Sequence, residues 1–217
     1  DIMEELIKRR NPRANIEKFP VDFTELDFNE KEEILENSDL IIVTTDSPAC
    51  QFAVNEVAYE LGVPALFVGC YERASAGEII YVLPRITNSC YDCIAGFRRE
   101  YAGETKLKER RRAYSNEDPD KVPAQPGLAV DISLVVAIAS GYALAILEPG
   151  STRSVLLNPE ENIVLIHSGN APTGEFADMF DRPFETKQVG FPEDPVCPVC
   201  HKEEYIKSLR RRDYGQN

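Results

Sequence analysis

DLIIVTTDSPACQFAVNEVAYELGVPALFVGC, residues 39–70, is the stretch that decides the fold. Residues 40–45 form a continuous apolar run rich in β-branched side chains. Such a run predicts a strand covered on both faces, and hence a parallel sheet. Asp46 ends it. Ser47 and Pro48 then supply an N-cap and a proline at the first helical position. The helix continues to Gly62, where a glycine stop is expected. PALFVGC, residues 64–70, is the next buried strand. Strand, helix and strand in this order predict a right-handed parallel crossover.

Working outward, residues 1–10 have helical character and are stopped by Asn11-Pro12. NIEKFPVDF, residues 15–23, reads as a short edge strand, with Pro20 near its end. FNEKEEILENS reads as a short acidic helix. AGEIIYVLP, residues 76–84, alternates as a strand. Gly127 opens a long apolar helix that ends near Glu148-Pro149. SVLLNP and NIVLIHS read as two strands, and FETKQVGF as a possible last one. SGNAPTGEFADMFDRP is irregular. The tail from His201 reads as a charged terminal helix or a frayed end. Residues 98–122 are dense in charge and predict an exposed, mobile crossover segment.

Four of the six cysteines fall in two Cys-x-x-Cys pairs, Cys90/Cys93 and Cys197/Cys200. Two such pairs can close a tetrahedral thiolate cage around zinc. A closed cage leaves no position for water, so such a metal is structural. Pro195 and Pro198 favour a rigid knuckle at the second pair. A redox pair, an iron–sulfur cluster and free buried thiols are the competing readings. Against a redox pair, no strand leads directly into a helix at either motif. His201 is a potential substitute ligand. Cys50 and Cys70 read as core thiols, and His167 as structural.

The net charge of −13 excludes a nonspecific nucleic-acid binder, which needs a basic face. It fits a cytoplasmic protein whose partner brings its own basic surface. No signal peptide is visible. The longest apolar stretch, residues 128–147, is interrupted by Asp131 and reads as a buried helix rather than a membrane span.

The combination resembles the ThiF/MoeB/HesA family of ubiquitin-activating-enzyme-like adenylyltransferases. The matching residues are Thr45-Asp46 after a buried strand, Asn55 in the helix, and the Gly-Val-Pro turn at 62–64. Gly77 in the following strand, Cys90-Tyr91-x-Cys93, the helix within 127–147 and the final Cys-x-x-Cys complete the likeness. It implies one ThiF-like domain over residues 1–217. That domain would be α/β and Rossmann-like, with a mainly parallel sheet continuing into a mixed or antiparallel, zinc-stapled section. The implied activity is ATP- and magnesium-dependent adenylation of the C-terminal carboxylate of a ubiquitin-like or sulfur-carrier protein, by a homodimer. Asp46 takes the family position beside ATP and magnesium, at the carboxyl end of a strand where α/β folds bind ligands. Asn55 and Arg73 are the further cofactor-binding candidates, although a surface ion pair explains Arg73 equally well.

Three departures stand beside the likeness. No G-x-G occurs in the chain, so the glycine-rich phosphate loop is absent from it. The expectation is therefore the C-terminal portion of a longer adenylyltransferase. Residues 94–126 hold no cysteine for a thioester step. Gln51 stands where the family often has arginine. These departures keep a second reading open, a noncatalytic zinc-stapled module that binds a ubiquitin-like partner or pairs with an active subunit. The basic run Arg98, Arg99, Lys106, Lys108 and Arg110–Arg112 reads as a solvated loop, or as a gate over the partner's tail.

Overall fold

The computed structural model describes residues 2–98, 127–169 and 178–206. Its centre is a five-stranded sheet in the order β1-β2-β3-β4-β5, formed by Ile41–Val43, Ala65–Cys70, Ala76–Val82, Ile163–His167 and Thr186–Val189. β1 and β2 run parallel, Ile41 opposite Ala65, and the later pairings are antiparallel. The expected parallel-to-antiparallel transition is therefore present. Within the described residues the parallel part is one pair and the antiparallel part the larger share. The sense reverses at β2–β3 because only residues 71–75 join them, too few for a parallel crossover.

Helix α1 (Ile2–Arg10) and helix α2 (Phe28–Leu35) precede the sheet. Asp27 and Glu30 close a reciprocal capping box at the start of α2. Helix α3 (Pro48–Leu61) joins β1 to β2. Ser47 Oγ accepts the Cys50 N–H at its start, and Gly62, at φ 75°, ends it in the left-handed region that glycine tolerates. The short helix α4 (Tyr91–Ala95) carries the first cysteine pair, and helix α5 (Ala129–Leu147) is the long apolar one.

Strand alternation divides the core in two. Ile41, Val43, Phe67, Ile80, Val82, Ile163 and Leu165 face α3, α4 and the cysteines. Leu66, Ile79, Tyr81, Val164 and Ile166 face α5, meeting Val135, Ala139, Tyr142 and Ala143. Gly77 lies where α5 crosses β3, and a Cβ there would overlap the Val135 side chain. Burying one large apolar side chain in such a layer contributes about 1.5–3 kcal/mol.

Four expectations are corrected. Residues 15–23 form no strand; they lie largely exposed, and among the described residues no strand pairs with them to supply a ladder of backbone hydrogen bonds. SVLLNP is not a strand, because Thr152–Leu156 coils as a 3₁₀ turn packed on α5, with Ser154 Oγ accepting the Gly150 N–H. β1 is covered on one face, where α3 packs, while Ile42 is 53% exposed on the other. Helix α5 is buried on its inner face alone. Ile132, Val136, Leu144 and Leu147 are exposed along its outer side. By length and composition it is apolar enough to cross a membrane, yet it serves here as the cover of β2, β3 and β4. Of the predicted crossover segment, all but Arg98 lies outside the described residues, as do the tail beyond residue 206 and half of SGNAPTGEFADMFDRP, residues 170–177.

Candidate functional site

The two cysteine pairs meet. Sγ–Sγ separations are 3.8 Å for Cys90–Cys93, 3.6 Å for Cys90–Cys197 and 3.4 Å for Cys93–Cys200. All four sulfurs lie within 4.8 Å of one another. Sulfurs placed about 2.3 Å from a central ion at tetrahedral corners stand roughly 3.8 Å apart, so this spacing fits an ion-sized centre. Cys90 caps the N-terminus of α4, and Cys93 sits one turn on. The Asp194 N–H donates to Cys93 Sγ at 3.4 Å, and the Val199 N–H to Cys197 Sγ at 3.5 Å. Without an ion, Cys93 is lowered chiefly by its hydrogen bond with Cys197, and Cys197 by that with Cys200. Cys90 and Cys200 are pushed up, chiefly by their hydrogen bonds with Cys197. A divalent cation would take the place of the protons they retain. His201 is engaged elsewhere, its Nε2 lying 3.2 Å from Glu193 Oε2.

The loop before Cys90 is fixed from β4. Asn162, fully buried, donates to the carbonyls of Tyr81 and Ser89 at 2.9 and 3.0 Å and accepts from Ser89 Oγ at 3.0 Å. Nothing in the sequence pattern singled out this asparagine, because its partners lie 73 and 81 residues away.

The second region is the edge where the carboxyl ends of β1, β2 and β4 emerge. Asp46 is exposed there, just beyond β1. Its charge and partial burial of the sulfur both raise the Cys70 thiol, burial being the larger cause. Cys70 is exposed rather than in the core, since it ends β2 at this edge. Cys50 is raised chiefly by burial. Both thiols are thus biased against the thiolate a nucleophile needs. Arg73 is exposed in a strained turn, at φ 59°, beside Ala74 at φ 51°. Asn55 is elsewhere: it is 1% exposed, donates to Asp92 Oδ2 at 2.9 Å and accepts the Tyr91 N–H at 3.2 Å. It ties α3 to α4 beneath the edge.

A polar chain that sequence reasoning missed joins the two regions. Gln51 Nε2 donates to the Thr45 carbonyl at 2.7 Å, and its Oε1 accepts from Tyr91 Oη at 2.7 Å. Arg98 reaches Tyr91 Oη and Tyr71 Oη at 3.4 Å each and pairs with Glu78 at 3.0 Å. Tyr71 Oη donates to Glu78 at 2.6 Å, and burial followed by the Glu78 charge pushes its phenol far up. Arg98 is therefore half-buried and paired, not a solvated loop residue. At the other flank of the crossover, Gly127 packs against Ala74 so closely that a Cβ would meet its methyl at 2.9 Å. Both described flanks thus rest on the β2–β3 connection.

The chain matches the ThiF family over residues 1–152, more than half its length, and belongs to that family. Solved structures of E. coli MccB share the fold. MccB alone aligns with a TM-score of 0.56 at 15% identity, over 92% of this chain and 49% of MccB. MccB with ATP aligns at 0.56 and 14%, over 92% and 50%. MccB with MccA-N7isoASN aligns at 0.57 and 13%, over 92% and 50%. The chain thus spans about half the length of these relatives. No curated protein matches it in sequence.

Proposed function

We propose that this chain is part of an ATP-dependent adenylyltransferase that activates the C-terminal carboxylate of a ubiquitin-like or sulfur-carrier protein. The observation that carries the reading is Asp46 at the carboxyl end of β1 in a ThiF-family chain, at the edge where open α/β sheets bind ligands. In the proposed reaction the carboxylate oxygen bonds to the α-phosphorus of ATP. The bond from that phosphorus to the bridging oxygen breaks, pyrophosphate leaves, and an acyl-adenylate remains. Magnesium, when bound, supplies neutralisation of phosphate charge. Asp46 would hold it, and Arg73 would face the phosphates from the next turn. The likeness to MccB, which has been crystallised with ATP and with N-formylated MccA, supports a role in activating a peptide or carrier partner.

In this proposal residues 1–217 form one ThiF-like domain, working in the cytoplasm as a homodimer. Its four cysteines hold a structural zinc. The nucleotide's glycine-rich loop is supplied from outside these residues. Asn55 acts through its hydrogen bonds to Asp92 and Tyr91 instead of touching nucleotide.

One observation favours the second reading, a noncatalytic zinc-stapled module that binds a ubiquitin-like partner or pairs with an active subunit. The Gln51 amide is satisfied at both ends inside the protein, so the position where relatives often carry arginine offers no cation to a phosphate. ATP–pyrophosphate exchange separates the two. Under the enzyme reading, the protein that includes the glycine-rich loop exchanges, and Asp46→Asn lowers exchange about 100-fold or more. Absence of exchange with every ubiquitin-like partner tried favours the module. The 217-residue chain alone is expected to bind ATP weakly; micromolar binding would overturn the assignment of the missing loop.

A further inference from the structure

We propose that Gln51 and Tyr91 are positioning residues that carry the state of the four-cysteine centre to the Thr45–Asp46 turn. The significance of that turn rests on the reading of Asp46 given above; the coupling itself rests on geometry. Arg98 Nη1 donates to Tyr91 Oη at 3.4 Å, Tyr91 Oη donates to Gln51 Oε1 at 2.7 Å, and Gln51 Nε2 donates to the Thr45 carbonyl at 2.7 Å. Every donor points the same way, so each bond polarises the next. The chain ends on the carbonyl of the peptide plane that contains the Asp46 nitrogen. Fixing that plane fixes the direction in which the Asp46 backbone leaves β1.

The middle member of the chain, Tyr91, belongs to the cysteine centre, while Arg98 at its far end is anchored on Glu78. Tyr91 directly follows Cys90, and its own N–H is held by Asn55. Its ring stacks on Phe67 with centroids 4.1 Å apart and meets Phe52 edge-on at 5.5 Å. When four sulfurs close around an ion, the first turn of α4 is fixed, and the phenol with it. Glutamine suits position 51 because it both accepts the phenol proton and donates to the carbonyl. An arginine or lysine has no acceptor, and a glutamate has no donor.

The test is amide hydrogen exchange, read by mass spectrometry, on the zinc-loaded chain and on its Tyr91→Phe and Gln51→Glu variants. Tyr91→Phe keeps the ring and both stacking partners; Gln51→Glu keeps the acceptor for Tyr91 and loses the donor to Thr45. Zinc content is expected to stay at wild-type level in both. Exchange within residues 44–50 should accelerate about fivefold, what the loss of one hydrogen bond produces. β3 and β4 should remain protected. A packing role alone would leave Tyr91→Phe indistinguishable from wild type, and that result overturns the proposal.

Chelation of the wild type with EDTA should accelerate the same amides, with little further effect in Tyr91→Phe. An equal chelator effect in both proteins also overturns the coupling. If chelation unfolds the sheet, the zinc-loaded variants decide. Failure of the Asp46 reading looks different: Asp46→Asn would leave ATP–pyrophosphate exchange unchanged while the turn still responds to zinc.

Discussion

Asn55 Nδ2 donates to Asp92 Oδ2 at 2.9 Å, across 37 residues of sequence and in full burial. The same amide accepts the Tyr91 N–H. A residue that family likeness places among nucleotide ligands is thus a rivet between α3 and the cysteine-bearing helix. Asn55→Ala removes two buried hydrogen bonds, to Asp92 and from the Tyr91 N–H, and is expected to cost about 2–4 kcal/mol of stability. Urea unfolding measures it. A loss under about 0.5 kcal/mol, the usual range of a surface substitution, would return Asn55 to the list of ligand candidates.

Cys197→Ser removes one corner of the sulfur cluster, 3.6 Å from Cys90 Sγ. Metal analysis of the purified chain should fall from one zinc to well below one per molecule. The segment from residue 194 to 206 should become protease-sensitive, and stability should drop by about 3 kcal/mol or more. Wild-type protein with well under one zinc per folded chain would remove the zinc reading itself.

Alkaline pH should weaken the fold. Burial raises the phenols of Tyr71, Tyr81, Tyr91 and Tyr142, the last to about 12. In the unfolded chain a tyrosine ionises near 10. Below that value both states keep the proton and the stabilisation is complete. As pH rises from about 10 toward 12, the unfolded chain releases protons that the folded chain retains, and stability declines. Melting temperatures between pH 9 and 12 check this, alongside phenolate absorbance. Normal titration of all nine tyrosines in the folded protein would contradict it.

The outer side of α5 is expected to mediate self-association. Ile132 is 41% exposed, Val136 53%, Leu144 41% and Leu147 47%. Introducing charge with Val136→Asp should shift a dimer toward monomer in light scattering without lowering the melting temperature. A monomeric wild type at tens of micromolar would end this expectation, and an unshifted dimer would place the interface elsewhere.

Much of the frame was legible because it rests on local chemistry. Ser47, Pro48 and Gly62 mark the limits of α3 within the chain itself, and each appears in its expected role. Cysteine spacing announced the centre for the same reason: two residues between thiols fix one turn of backbone. The strand expected at residues 15–23 failed because a strand depends on a neighbour that local sequence does not contain. The outer face of α5 was misjudged because an apolar side chain reads the same whether or not something covers it.

At the site the division is similar. Asp46 could be placed at a strand end from the β-α-β pattern. The contacts of Gln51 with Tyr91, and of Arg98 with Glu78, bridge 40 and 20 residues. They depend on which way α4 leaves its loop. A charged run such as that beginning at Arg98 hides a member that turns inward, since composition averages over the whole run.

The 107-residue separation of Cys90 and Cys197 along the chain also sets a schedule. At roughly 5–20 residues per second, the ribosome leaves the first pair without its partners for about 5–20 seconds. During that interval Cys90 and Cys93 are two neighbouring thiols on a nascent chain, open to oxidation or to capture of a soft metal with fewer ligands. The four-sulfur centre is therefore a late product of biosynthesis. Its loading would respond to the zinc supply and thiol redox state of the moment, even in a chain whose sheet has already begun to pair.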